Sequence, residues 1–137
     1  MDHNQVKVIL QVEVNPTESE EKVKKAIWNL FGDIPTQTKS AQKGSIITAE
    51  AKGLESLAGL RNVLHRDRIR DAARRALHQG LYGDTLTFYL NKQVAFAGHV
   101  SFSEAEAESP LGPIKVTVQS EDLLQIIEWL AEKSGRP

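Results

Sequence analysis

The chain has 137 residues, 40% of them hydrophobic and 26% charged, with a formal net charge of −1 and no cysteine. That size suits one domain, 1–137, with a real core. The lack of cysteine excludes disulfides, thiolate nucleophiles and cysteine-held metals. The first residues, MDHNQVKVILQVEV, hold no signal-peptide pattern and no apolar run of membrane-spanning length. The expectation is a cytoplasmic protein without a membrane segment.

Val6, Val8, Leu10, Val12 and Val14 alternate with Gln5, Lys7, Gln11 and Glu13, which predicts a strand with one buried face, ended by Pro16. Thr17 and Glu20 have the spacing of a capping box. Val23, Ala26, Ile27 and Leu30 then stripe a helix that Gly32 and Pro35 stop. Residues 36–44 are polar, end in glycine and read as a loop; 45–51 read as a second strand.

Residues 54–64 read as a helix with Leu57, Leu60 and Leu64 on one side. The apolar stripe of the next segment, Ile69, Ala72, Ala73 and Ala76, lies about half a turn out of phase. One straight helix cannot bury both, so the spacing predicts a break near residues 65–67, with Asp67 as N-cap. Residues 85–102 read as a hairpin. A three-residue loop at 91–93 keeps Leu90 opposite Val94 and Phe88 opposite Phe96, and places Lys92 at the tip. The acidic run Glu104, Glu106, Glu108 leads into a rigid corner, SPLGPI, in which both prolines lack a backbone donor. Ile114, Val116 and Val118 mark another strand. Ser120 caps a last helix buried through Leu123, Leu124, Ile126, Ile127 and Leu130. The order is strand, helix, strand, two helices, hairpin, strand, helix. It predicts an α+β domain with helices on one face of a mainly antiparallel sheet.

Six of the seven arginines lie between Arg61 and Arg75, where only Asp67 and Asp71 oppose them. On a helical wheel Arg68, Arg70, Arg74, Arg75 and His78 fan across the side opposite Ile69 and its alanines. Elsewhere the chain uses ten lysines and one arginine. A solvated face laced with weak ion pairs accounts for charge, but not for a preference for arginine. The planar guanidinium grips phosphate or carboxylate with two donors at once. Two anions suit it: a nucleic-acid backbone, or Glu104, Glu106 and Glu108 of the same chain or of a second copy. Tyr89, near His99, is the aromatic best placed to stack on a base, although a strand tyrosine is more often simply packed at an edge.

Nothing in the sequence assembles chemistry. No two of His3, His65, His78 and His99 have the i, i+4 spacing of a helical metal site, and there is no phosphate-cradling glycine loop or nucleophile elbow. The expectation is a non-enzymatic protein without cofactor or metal.

Three segments, RIRDAARRAL, LTFYLNKQVAFAGHVSF and SPLGPIKVTV, together resemble an archaeal family of small uncharacterised proteins predicted to bind RNA. The resemblance implies an RNA-binding accessory role in archaeal RNA processing or translation, with a suggested exosome association. It also implies an α+β fold related to the ribosomal protein that binds five-S RNA, and it brings no catalytic residues. On this reading Arg66, Arg68, Arg70, Arg74, Arg75 and Lys92 hold the RNA. The second reading is an oligomerising or protein-binding module whose arginine face docks on carboxylates.

Overall fold

In a computed structural model, which describes residues 5–104 and 112–133, the alternation of the first strand is preserved residue for residue. The order is β1 (Lys7–Val14), α1 (Glu20–Phe31), β2 (Thr36–Ser40), β3 (Ser45–Lys52), a 3-10 turn (Leu54–Leu57), α2 (Ala58–Arg66), α3 (Arg70–Gln79), β4 (Leu81–Tyr82), β5 (Thr85–Asn91), α4 (Lys92–Phe96), β6 (Phe102–Ser103), β7 (Pro113–Gln119) and α5 (Leu123–Leu130). The strands form one open antiparallel sheet in the order β2-β3-β1-β7-β5-β4, with β6 also on β5. The fold class is α+β, as the alternation of elements implies.

Register explains why the two faces differ. Ala49, Leu10, Val116 and Phe88 stand opposite one another across four strands, all buried. One position along, Thr48, Gln11, Lys115 and Tyr89 line up on the other face. Because side chains alternate across a strand, the apolar set must collect on one side. The helices cover that side through Ile27, Leu30, Leu60, Leu64, Leu77, Ile126 and Ile127, each at most 1% exposed. Gly59 lets α2 approach α1 closely, since a Cβ there would lie 2.6 Å from the Leu30 carbonyl oxygen.

Several local expectations are corrected. Residues 36–40 are a strand, not a loop: Gln37 pairs with Thr48 and Lys39 with Ile46. The cap of α1 is Ser19, whose hydroxyl accepts from the Lys22 N–H, rather than Thr17. At α5 the N-cap position is Asp122, while Ser120 Oγ accepts from the Asp122 N–H at 3.0 Å. Leu124 is 60% exposed instead of buried.

The largest correction is the hairpin. After β5 the chain turns into α4, with Asn91 as N-cap accepting from the Val94 N–H at 3.0 Å. On the side away from β7, Leu90 and Tyr89 pair with β6, through Phe102 and Ser103. Phe96 therefore never faces Phe88, which packs against Phe102 instead with ring centroids 5.9 Å apart. The Asn91 cap satisfies donors at the helix start that a two-strand ladder would have used differently, so the helix displaces the hairpin.

Candidate nucleic-acid interface

The break predicted between residues 65 and 67 is present, and its form determines where the arginines point. Arg68 has φ 57°, and among the described residues it is the one non-glycine with positive φ. Its N–H bonds the His65 carbonyl at 3.3 Å, and the Ile69 N–H bonds the Leu64 carbonyl at 3.2 Å. These are the two hydrogen bonds of a Schellman ending, in which the left-handed position is usually glycine. The end of α4 uses the same pair: Gly98 N–H to Ala95 at 2.9 Å and His99 N–H to Val94 at 3.0 Å, with Gly98 at φ 87°. Asp67 thus ends α2 rather than capping α3, whose N-cap position is Ile69.

The two helix endings meet. Arg66 Nη2 donates to the Gly98 carbonyl at 2.6 Å, and its Nε donates to Asp67 Oδ1 at 3.0 Å. His99 Nδ1 lies 2.8 Å from Asp67 Oδ2. The hydrogen bonds from Arg66 and His99 hold the Asp67 carboxyl below its usual range.

On α3 the buried positions are Ala73 and Leu77, with Ile69 partly buried; Ala72 faces solvent, contrary to the wheel. That rotation divides the arginines. Arg70 donates to Glu132 at 3.1 Å, and Arg74 pairs with Glu128 while also donating to the Ala131 carbonyl at 3.4 Å. From α2, Arg61 Nε donates to the Trp129 carbonyl at 2.8 Å and its guanidinium lies 5.3 Å from the Trp129 ring centre. These three cations gather at the C-terminal end of α5, where carbonyls lack helical partners and the dipole is negative. The hydrogen bond to Glu128 raises the Arg74 pKa above its ordinary value, and Arg74 in turn holds Glu128 below its own.

Arg66, Arg68, Arg75 and His78 are exposed. No partner for Arg68 or Arg75 occurs among the described residues. Asp71 adds to the field at Arg74.

Lys92 is not at a turn tip. It begins α4, is 3% exposed, and donates to the Glu13 carbonyl at 2.7 Å and to Glu18 Oε1 at 2.8 Å. Burial pushes the Glu18 carboxyl up, but hydrogen bonds from Asn15 and Lys92 outweigh it and leave it below the ordinary value. Tyr89 is half-buried on the outer sheet face between Lys115 and Ser103, in a strand flanked on both sides. Glu104 is exposed, while Glu106, Glu108 and residues 109–111 lie outside the described residues. The carboxylates opposite Arg70 and Arg74 are Glu132 and Glu128, which sequence reasoning missed. The available signal was two acids four apart, one on the last helix and one just past its end, matching two arginines four apart.

Among the described residues no cluster of three or more His, Asp or Glu is placed to hold a metal, and no helix is long and apolar enough to cross a membrane. Residues 7–120 match the model of a family described as RNA binding. A UPF0201 protein of Sulfurisphaera tokodaii is 44% identical over 130 residues, covering 95% of this chain and 90% of that relative. One from Metallosphaera sedula is 40% identical with the same coverage. The crystal structure of a UPF0201 protein from Methanococcus jannaschii superposes with a TM-score of 0.84 at 30% identity, over 94% of this chain and 95% of that one. With a match of this extent and relatives this similar, the chain belongs to the UPF0201 family of archaeal proteins, whose family model is described as RNA binding.

Proposed function

We propose that the protein binds RNA as a non-enzymatic accessory factor of archaeal RNA processing or translation, and that the outward half of the arginine cluster holds the phosphates. Arg66, Arg68 and Arg75 are the contact residues in this reading. Arg70 and Arg74 contribute positive potential while committed to α5, and Lys92 serves the fold.

The observation that carries the proposal is Arg68. A left-handed backbone costs a residue with a Cβ about 1 kcal/mol or more. The chain uses glycine at the equivalent place in α4, yet keeps an arginine here, exposed and unpaired among the described residues. Strain retained at an exposed cation fits a binding role, since no partner among the described residues rewards it. The family description supports the choice of RNA as the anion.

Affinity for a single-stranded RNA, measured at several salt concentrations, tests this. Three phosphate contacts give a log–log slope of roughly −2, since each contributes about −0.7 on single strands. Arg68→Glu with Arg75→Glu is expected to flatten the slope and weaken binding at least tenfold. Equal affinity for both proteins would end the proposal.

A further inference from the structure

Two of the exposed large apolar side chains border the outer face of α1, Phe96 on its α4 side and Trp28 on the other, beside a hollow lined by Lys24, Asp33 and Thr36. Trp28, on α1, is 54% exposed, and Phe96, at the end of α4, is 44% exposed. Each ring carries a lysine ammonium: Lys25 Nζ lies 4.3 Å from the Trp28 ring centre and Lys22 Nζ 5.9 Å from that of Phe96. The helices are tied together between them, because Asn29 Nδ2 donates to the carbonyls of Ala95 and Phe96, both at 3.0 Å. Lys22, Lys25 and Asn29 follow one another along the outer side of α1 at three- and four-residue spacing. Lys22 and Phe96 also border a cleft of about 420 Å³ between α1 and α4.

This face runs into the arginine elbow. Phe96 is two residues before Gly98, whose carbonyl accepts from Arg66. An ordered path therefore leads from Arg68 and Arg66, past Gly98, over Phe96 and Lys22, to Lys25 and Trp28. We infer that this path is a track for single-stranded RNA, on which unpaired bases stack on Phe96 and Trp28 while Lys22, Lys25 and the elbow arginines hold the phosphates. The inference rests on the RNA-binding reading above and names its ligand class more narrowly.

The chemistry favours this occupant over a protein. Base-stacking surfaces need flat rings open to solvent beside cations that follow the backbone, and they tolerate any sequence because every base has a π-face. A protein-binding patch depletes lysine at its centre, whereas here lysines sit over both rings. Of the acids nearest the track, Glu18 is paired with Lys92 at 2.8 Å and Glu20 with Lys24 at 3.0 Å, while Glu21 and Asp33 border the hollow beside Trp28 together with Lys24 and Lys25. Duplex RNA cannot use the rings, since its bases are already stacked and paired.

The test uses the full chain, a 12-nucleotide oligouridine and a blunt RNA duplex of equal length. Trp28 fluorescence is read in a Trp129→Phe background. Adding oligouridine is expected to quench it. Trp28→Ala and Phe96→Ala are each expected to weaken oligouridine binding roughly tenfold or more, with the salt slope unchanged, and Trp28→Tyr to restore most of it. Duplex affinity stays as it was, and thermal melts confirm that the variants fold. Oligouridine binding that depends on Arg68 and Arg75 yet ignores Trp28 overturns the track alone. So does equal loss for duplex, or a Trp28→Ala change in mass by light scattering, which would make this face a contact between copies. No binding of either RNA overturns this inference and the RNA reading together.

Discussion

Arg70, in the first turn of α3, donates to Glu132, two residues past the end of α5, at 3.1 Å. One turn along, Arg74 meets Glu128. Two arginines four apart thus face two glutamates four apart in reverse order, which is the signature of an antiparallel crossing of two helices. With Arg61 on the Trp129 carbonyl, half of the arginine cluster fastens the last helix to the domain.

Loss of that fastening is measurable. Arg61→Ala forfeits a charge-assisted bond to a helix-end carbonyl and a stacked guanidinium, and is expected to cost about 1–2 kcal/mol. For a domain of this size that is a fall in melting temperature of roughly 5 °C by calorimetry. Arg75→Ala, which removes no bond among the described residues, is expected to stay within about 0.5 kcal/mol of the parent.

Arg68→Gly separates strain from function. Relief of the left-handed penalty is expected to stabilise the fold by about 1 kcal/mol, raising the melting temperature by a few degrees. The same substitution removes one phosphate contact, so RNA affinity falls. A variant that is less stable than the parent would show that Arg68 has a structural partner.

Lys92 and Glu18 form a nearly buried pair, with side chains 3% and 11% exposed. Lys92→Met strands the carboxylate and is expected to cost about 3 kcal/mol. Adding Glu18→Gln is expected to recover part of that loss, because the amide keeps the Asn15 contacts without needing a cation. Denaturant melts of the two variants decide it; a double variant less stable than Lys92→Met would contradict the pairing.

His65 sets an acid limit. Burial, with Arg61 and Arg70 beside it, pushes its pKa below the ordinary 6.5, partly offset by Glu132 and the Leu130 carbonyl, and its Nε2 is buried without a partner among the described residues. The unfolded chain then takes up the proton first. Stability is complete above pH 6.5 and declines as pH drops toward the lowered folded value. The melting temperature of the parent should fall between pH 6.5 and 5, and that of His65→Phe should stay flat over the same window.

What the sequence displayed well was whatever rests on periodicity over many residues. Alternation marked β1 and β7, and the phase jump between Leu64 and Ile69 located the elbow, because burial enforces both. Short features whose outcome depends on local capping were misread. Alternating Val94 and Phe96 imitate a strand, and only Asn91 as a cap and Gly98 as a stop betray α4. The polar strand β2 has no apolar face to announce it; its pairing with β3 comes from the chain doubling back. The arginine face was legible as charge, but its division was not, since Glu128 and Glu132 are brought opposite only by the tertiary fold.

The central claim is that one cluster does two jobs. The most direct measurement compares melting temperature and oligouridine affinity, side by side, for Arg70→Ala with Arg74→Ala and for Arg68→Ala with Arg75→Ala. The account predicts that the first pair melts earlier yet still binds RNA below its transition, and that the second pair melts like the parent yet binds at least several-fold more weakly. The reverse pattern, or equal loss of affinity in both, would contradict it.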